Sequence, residues 1–121
     1  MFCRGIRGAV CVERDEAEAI VAATRRLLER IVEANGIEVE DLASVIFSTT
    51  ADLTADVPAR AAREMGWMHT PLLCLQEMMA VGGLERVVRI LLMWNTERSP
   101  EEIHHIYLGE ARQLRPDFGE E

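Results

Sequence analysis

The stretch Val87-Val88-Arg89-Ile90-Leu91-Leu92-Met93-Trp94 is apolar at seven of its eight positions. A short run of this kind reads as a strand, and so apolar a strand normally has both of its faces covered. The rest of the chain offers one long amphipathic helix, which covers only one face of a sheet. The pattern therefore predicts an obligate oligomer, in which other copies of the chain cover what the helix leaves bare. Arg89 is the single interruption. A guanidinium there is costly unless it is paired and hydrogen-bonded. It is either half of a structural ion pair, with Glu77 as the candidate partner, or an anion donor in a dry pocket.

Outward from that strand, Phe2 to Val12 alternates in polarity and reads as another, softened by Gly5 and Gly8. Asp15 with Glu18 resembles a capping box. Ile20, Val21, Thr24, Leu27, Leu28, Ile31 and Val32 then fall on one helical stripe, and Asn35-Gly36 supplies the stop, so the spacing predicts a helix over about 16–35. Ser44 to Thr49 is a second strand, Thr50 to Val57 a loop, and Ala59 to Met65 a short helix opened by Pro58 and closed by Gly66. Pro71 to Gln76 is a third strand, Gly82-Gly83 a break, Ser99-Pro100-Glu101-Glu102 a single helical turn, and His104 to Leu108 a last strand. The sum is an α+β chain with a mixed sheet of about five strands, one long helix and short helices. Residues 1–115 form one domain and 116–121 an acidic tail.

Composition removes whole classes of function. Thirteen basic residues against twenty-one acidic ones leave a net charge of −8, a poor balance for gripping a phosphate backbone, so neither nucleic acid nor a membrane surface is expected as a partner. Every basic residue is Arg. The absence of Lys removes Schiff-base chemistry, a pyridoxal-phosphate anchor and a P-loop lysine, and leaves planar bidentate groups suited to carboxylates. Cys3, Cys11 and Cys74 form no C-x-x-C. Cys3 and Cys11 stand about 26 Å apart on an extended segment, too far for a disulfide. The opening residues carry no long apolar run before a cleavage site, and a reducing cytoplasmic setting is expected. His69, His104 and His105 have no metal-ligand spacing, and no metal or cofactor is expected.

The remaining candidates for chemistry are arginines, one glutamate, one tyrosine and one thiol. Arg89 and Glu77 on neighbouring strands suit a small molecule bearing an anionic group and a hydroxyl. Arg7 is either a solvated edge residue or a ligand-facing one, on a strand whose glycines permit close approach. Arg60 and Arg63 share a helix face. Tyr107 either packs in the core with a satisfied hydroxyl or reaches a ligand carboxylate, and Arg115 is a terminal residue or part of the site. Such a set fits binding and electrostatic stabilisation better than nucleophilic or metal-assisted hydrolysis.

Arg4-Gly5-Ile6-Arg7-Gly8-Ala9, Val12-Glu13-Arg14-Asp15, Pro58-Ala59-Arg60, Arg63-Glu64, Gly66-Trp67, Cys74-Leu75-Gln76-Glu77-Met78, Gly82-Gly83-Leu84, Tyr107-Leu108 and Leu114-Arg115-Pro116-Asp117 together resemble the monofunctional, trimeric α+β chorismate mutases of the AroH class. The similarity runs over about residues 2–117. It implies a homotrimer with a barrel-like β core and sites in clefts between subunits, where chorismate rearranges to prephenate on the route to phenylalanine and tyrosine. In that likeness Arg89 is the donor to the ether oxygen. Glu77 binds the ring hydroxyl, which Cys74 also approaches. Arg7 and Tyr107 hold a carboxylate of the enolpyruvyl side chain. Leu73, Cys74, Leu75, Gln76 and Glu77 line the pocket, and Val57, Arg60, Arg63, Leu114 and Arg115 close or rim it, from the neighbouring subunit. Val57 stands where the family often has an aromatic, and Arg60 where a lysine is common. Cys74 and Glu77 have opposite parity on an ideal strand, yet in that likeness both reach one pocket, which predicts a bulge or a strand end between them. The rival readings are a non-catalytic trimeric binder of a small carboxylate and an imine deaminase of the similar trimeric fold.

Overall fold

The computed structural model describes residues 1–78 and 83–118. Gly82 of the expected break and residues 119–121 of the expected tail lie outside them. Five strands form one mixed sheet: β1 (Phe2–Cys11), β2 (Leu42–Thr49), β3 (Leu72–Gln76), β4 (Val87–Thr96) and β5 (Ile106–Tyr107), in the spatial order β3-β2-β4-β1-β5. β4 lies at the centre, antiparallel to both β1 and β2, whereas the two edge strands run parallel to their neighbours. The apolar run that reads as a buried strand is thus the middle of the sheet, and it extends two residues past Trp94. β5 flanks β1 at Gly8 and Ala9 only, and at Arg7 the backbone N–H is received by the His105 ring.

One face of the sheet is covered. Helix α1 (Ala17–Asn35) packs on β1 and β5, and helix α2 (Ala59–Glu64) packs on α1 and β3. Ile20, Leu27 and Ile31 of α1 meet Ile6, Val10, Phe47, Ile90 and Leu92 in a single core. Gly8 makes this approach possible. A Cβ there would stand 2.9 Å from the Ile106 carbonyl oxygen and 3.0 Å from Ile31 Cδ1. The opposite face carries no α-helix among the described residues; the 3₁₀ helix Gly109–Leu114 packs on part of it, over Ala9 and Tyr107. Along β4 the helix-side residues are buried, while Arg89, Leu91 and Met93 are half-buried. Leu73 and Leu75 of β3 are half exposed, at 53% and 50%.

Two local expectations are corrected. The capping box at Asp15 does not form: α1 begins after Glu16, with no side-chain cap. Asp15 instead accepts from the Thr54 N–H and hydroxyl and from the Ala55 N–H, tying the loop after β2 to the start of α1. The last strand is two residues long rather than five, because Asn35 takes the backbone of His104 out of the ladder. Its side-chain amide donates to the His104 carbonyl, and its carbonyl accepts the His104 N–H. Pro116–Phe118 form a 3₁₀ turn. The stop at Asn35-Gly36 is as expected, with Gly36 at φ 67° donating its N–H to the Val32 carbonyl. No helix among the described residues is long and apolar enough to cross a membrane.

Candidate active site

The uncovered face of the sheet collects most of the residues singled out for chemistry. Arg89 on β4 stands opposite Ala9 of β1 on one side and Ser48 of β2 on the other. Ala9 is in turn the partner of Tyr107 on β5. Since side chains alternate along a strand, Arg7, Arg89, Ser48 and Tyr107 share this face. β3 ends at Gln76, but Cys74 and Glu77 lie on opposite faces of the sheet within one chain, as their opposite parity gives, so the expected break is not what brings them to one pocket. The Glu77 N–H still donates to the Thr49 carbonyl, and its carboxylate turns back over β2 toward Arg89.

Glu77 Oε1 lies 2.9 Å from Arg89 Nε, and the Ser48 hydroxyl donates to the same oxygen at 3.4 Å. Both members of the ion pair are half-buried rather than fully buried. The pair is close but not aligned: the buried Arg89 Nε–H makes no directed hydrogen bond. A buried donor left in that state is a cost to the fold of about 1–3 kcal/mol and an unused contact for a ligand oxygen. Beside the pair opens a cavity of about 450 Å³, whose walls include Glu77, Met78, Leu84, Val87, Arg89 and Leu114. Its mostly apolar walls, which also carry the Arg89–Glu77 pair and the acidic residues Asp52 and Glu85, are of the kind that takes a small molecule.

Tyr107 is fully buried against Ala9, Val87 and Ala111, with Leu84 and Leu114 packed on this cluster. It therefore underlies the cavity wall. Arg115 follows Leu114 and is bound twice by Asp117, at 3.0 and 2.6 Å, which raises the guanidinium pKa and lowers that of the carboxyl.

The other expected residues lie elsewhere in the chain. Cys74 is the register partner of Phe47, on the helix side of the sheet, so its thiol is separated from Arg89 by the sheet itself. It lines a second hollow of about 310 Å³ at the β3 edge, together with Val57, Leu75 and Gln76. Arg60, on α2, is held by Asp56 at 2.5 Å and Glu64 at 2.8 Å; Arg63 on the same helix is exposed. Leu73 and Leu75, by contrast, lie on the open face, where Leu75 is in register with Ser48. One chain therefore brings Arg7, Glu77, Arg89, Tyr107, Leu114 and Arg115 to the open face, and carries Val57, Arg60, Arg63, Cys74 and Gln76 at the opposite edge.

Some residues of the site escape sequence reasoning. Arg86 takes a left-handed conformation, φ 49°, three residues before Arg89. Its N–H is received by both oxygens of Asp52, at 3.2 and 3.0 Å, and the Asp52 carboxylate also accepts from the Thr50 hydroxyl. Thr50 in turn accepts the Val87 N–H. This clamp fixes the turn by which β4 enters the site. The only sequence signal was a Thr-x-Asp in a loop, which is too common to single out. Ser48 became visible only through its register with Arg89.

Comparison with known proteins agrees with this architecture. The family model for chorismate mutase type I matches residues 3–118. The chain belongs to that family. Chorismate mutase AroH of Thermus thermophilus is 52% identical over 116 residues, covering 95% of each chain. Chorismate mutase AroH of Bacillus subtilis is 44% identical over 119 residues, covering 98% of this chain and 94% of its own. Among solved structures, a chorismate mutase from Clostridium thermocellum superposes with a TM-score of 0.90 at 43% identity, over 92% of this chain and 99% of that one. The α+β expectation holds for this member of the chorismate mutase type I family.

Proposed function

We propose that this chain is a chorismate mutase, which converts chorismate to prephenate by holding the substrate in a compact conformer and stabilising the charge that separates as its ether bond breaks. Family membership supports the reaction. The observation that carries it to these residues is the Arg89–Glu77 pair at the wall of an apolar cavity, with a buried Arg89 N–H still unused.

A pericyclic rearrangement asks for no nucleophile and no proton transfer, and in this scheme no cofactor takes part. As the C–O bond lengthens, negative charge grows on the ether oxygen, and Arg89 is the cation held ready for it. Glu77 faces the ring side, where it accepts the substrate hydroxyl and balances the opposite charge. Arg7 and Tyr107 bind a carboxylate and thereby select the folded conformer, which removes much of the entropic barrier. Leu114 and Arg115 close the rim.

The active assembly is a homotrimer in this proposal. The open sheet face, with Leu91 and Met93 half-buried and Leu73 and Leu75 half exposed, is the kind of surface that a second copy covers. Completion across subunits also explains the two groups of site residues. Val57, Arg60, Arg63, Cys74 and Gln76 of one copy meet the Arg89 face of the next. The three free thiols fit a cytoplasmic setting.

The test is turnover of chorismate by purified protein, followed by loss of its ultraviolet absorbance, with prephenate confirmed by acid conversion to phenylpyruvate. Enzyme-dependent conversion without added metal or cofactor is the expected result. A folded oligomer that binds chorismate without converting it would replace the proposal with a carboxylate binder, and ammonia release from an imine would replace it with a deaminase.

A further inference from the structure

We propose that His105 is a positioning residue for Arg7, and that protonation of its imidazole uncouples Arg7 from Tyr107 and switches the site off on the acid side. The inference rests on the reading above, in which Arg7 and Tyr107 together hold a substrate carboxylate.

The geometry is a side chain standing in for a strand. β1 and β5 pair in parallel at Gly8 with Ile106 and at Ala9 with Tyr107. One position earlier the parallel register would offer the Arg7 N–H the His104 carbonyl, but Asn35 already holds His104 at both its carbonyl and its N–H. The ring replaces it: the Arg7 N–H donates to His105 Nδ1 at 3.0 Å. That bond requires a lone pair on Nδ1, hence the neutral ring with its proton on Nε2. It ties the backbone of one proposed carboxylate ligand to a residue two positions from the other.

A proton on Nδ1 would set a donor against a donor. The surroundings already oppose it. Burial disfavours the cation, as do Arg115 from the C-terminal segment, Arg7 from β1 and the neighbouring His104. Asp117 favours it, and the balance places the His105 pKa below its ordinary 6.5. The folded chain therefore keeps the Arg7–His105 bond at neutral pH and loses it as pH falls below that value.

Three proteins test this: the wild type, His105→Asn, whose amide oxygen can accept the same N–H at any pH, and His105→Ala. In the wild type, kcat/KM should fall with a single-proton limb below pH 6.5. His105→Asn should stay within about twofold of the wild type at pH 7.5 and lack that limb. His105→Ala should lose about five- to tenfold, the worth of one such hydrogen bond. A limb common to all three belongs to another group. Acid-limb behaviour identical in the wild type and His105→Asn overturns the proposal. A readout independent of turnover is the Arg7 amide nitrogen shift. It should titrate together with the His105 ring in the wild type and stay flat through that range in His105→Asn. Coupled titration without chorismate turnover would refute the proposed function and leave the switch standing. An Arg7 amide indifferent to His105 overturns the switch whatever the activity.

Discussion

Arg89 Nε and Glu77 Oε1 lie 2.9 Å apart although their strands are not neighbours: β2 runs between β4 and β3, and the pair meets above Ser48. Glu77 follows Leu73 and Leu75 onto the face that carries Ser48 and Arg89, and its N–H still donates to the Thr49 carbonyl. Neither residue has another charged partner across that gap among the contacts described, and the Arg89 N–H is not aimed at the carboxylate. Such a pair is held in place without being satisfied, as a site awaiting a polar ligand should be.

Arg89→Ala is expected to lower kcat by at least ~10²–10³, the cost of one oxyanion donor. Arg89→Lys should also be poor, because one ammonium does not reproduce the planar fork. Steady-state turnover of chorismate checks both, and near wild-type kcat in the Lys variant would remove Arg89 from its assigned role.

Glu77→Ala is expected to reduce kcat more than Arg115→Ala does. Glu77 contacts Arg89 directly, whereas Arg115 sits at the rim, already bound to Asp117. The Arg115 effect should appear mainly in KM, and equal losses of kcat would contradict the division into centre and rim.

For Cys74→Ser only a modest change in kcat is expected. Its thiol faces Phe47 and the helix side, and the scheme gives it no covalent step. Complete loss of turnover in a folded variant would point to thiol chemistry instead.

Two substitutions probe the scaffold by urea unfolding. Gly8→Ala should destabilise by about 1–3 kcal/mol, because the new methyl meets the Ile106 carbonyl oxygen at 2.9 Å, and that oxygen is backbone which cannot turn aside. Asn35→Ala should cost about 2–4 kcal/mol by stranding the His104 N–H and carbonyl. No loss in either would mean that α1 and β5 are not locked together as described.

Asp15 gives a pH-dependent term of known sign. The Thr54 hydroxyl and the Ala55 and Thr54 N–H groups lower its pKa below the ordinary 3.8. Its contribution to stability is therefore present above that value and lost as pH falls through the folded-state pKa. Asp15→Ala should be less stable than the wild type at pH 7, and the gap should close in acid. A gap that persists unchanged at low pH would rule out the charge as its source.

By itself the sequence determined the elements. Hydrophobic period and end signals drew α1 almost to the residue, since a stripe at helical spacing and an Asn-Gly stop are local facts. The central strand and its lone Arg89 were also legible, because burying an unpaired charge is costly wherever the strand ends up. What only the tertiary structure decided is who meets whom. Strand order put Ser48 beneath the Glu77–Arg89 pair and placed Cys74 on the other side of the sheet. It drew Asp15 away from its expected cap to the Thr54 loop, and it set the ring of His105 where a strand's carbonyl would have been. These are register relations between segments distant in the chain, and a side chain's face depends on pairing that no local pattern encodes.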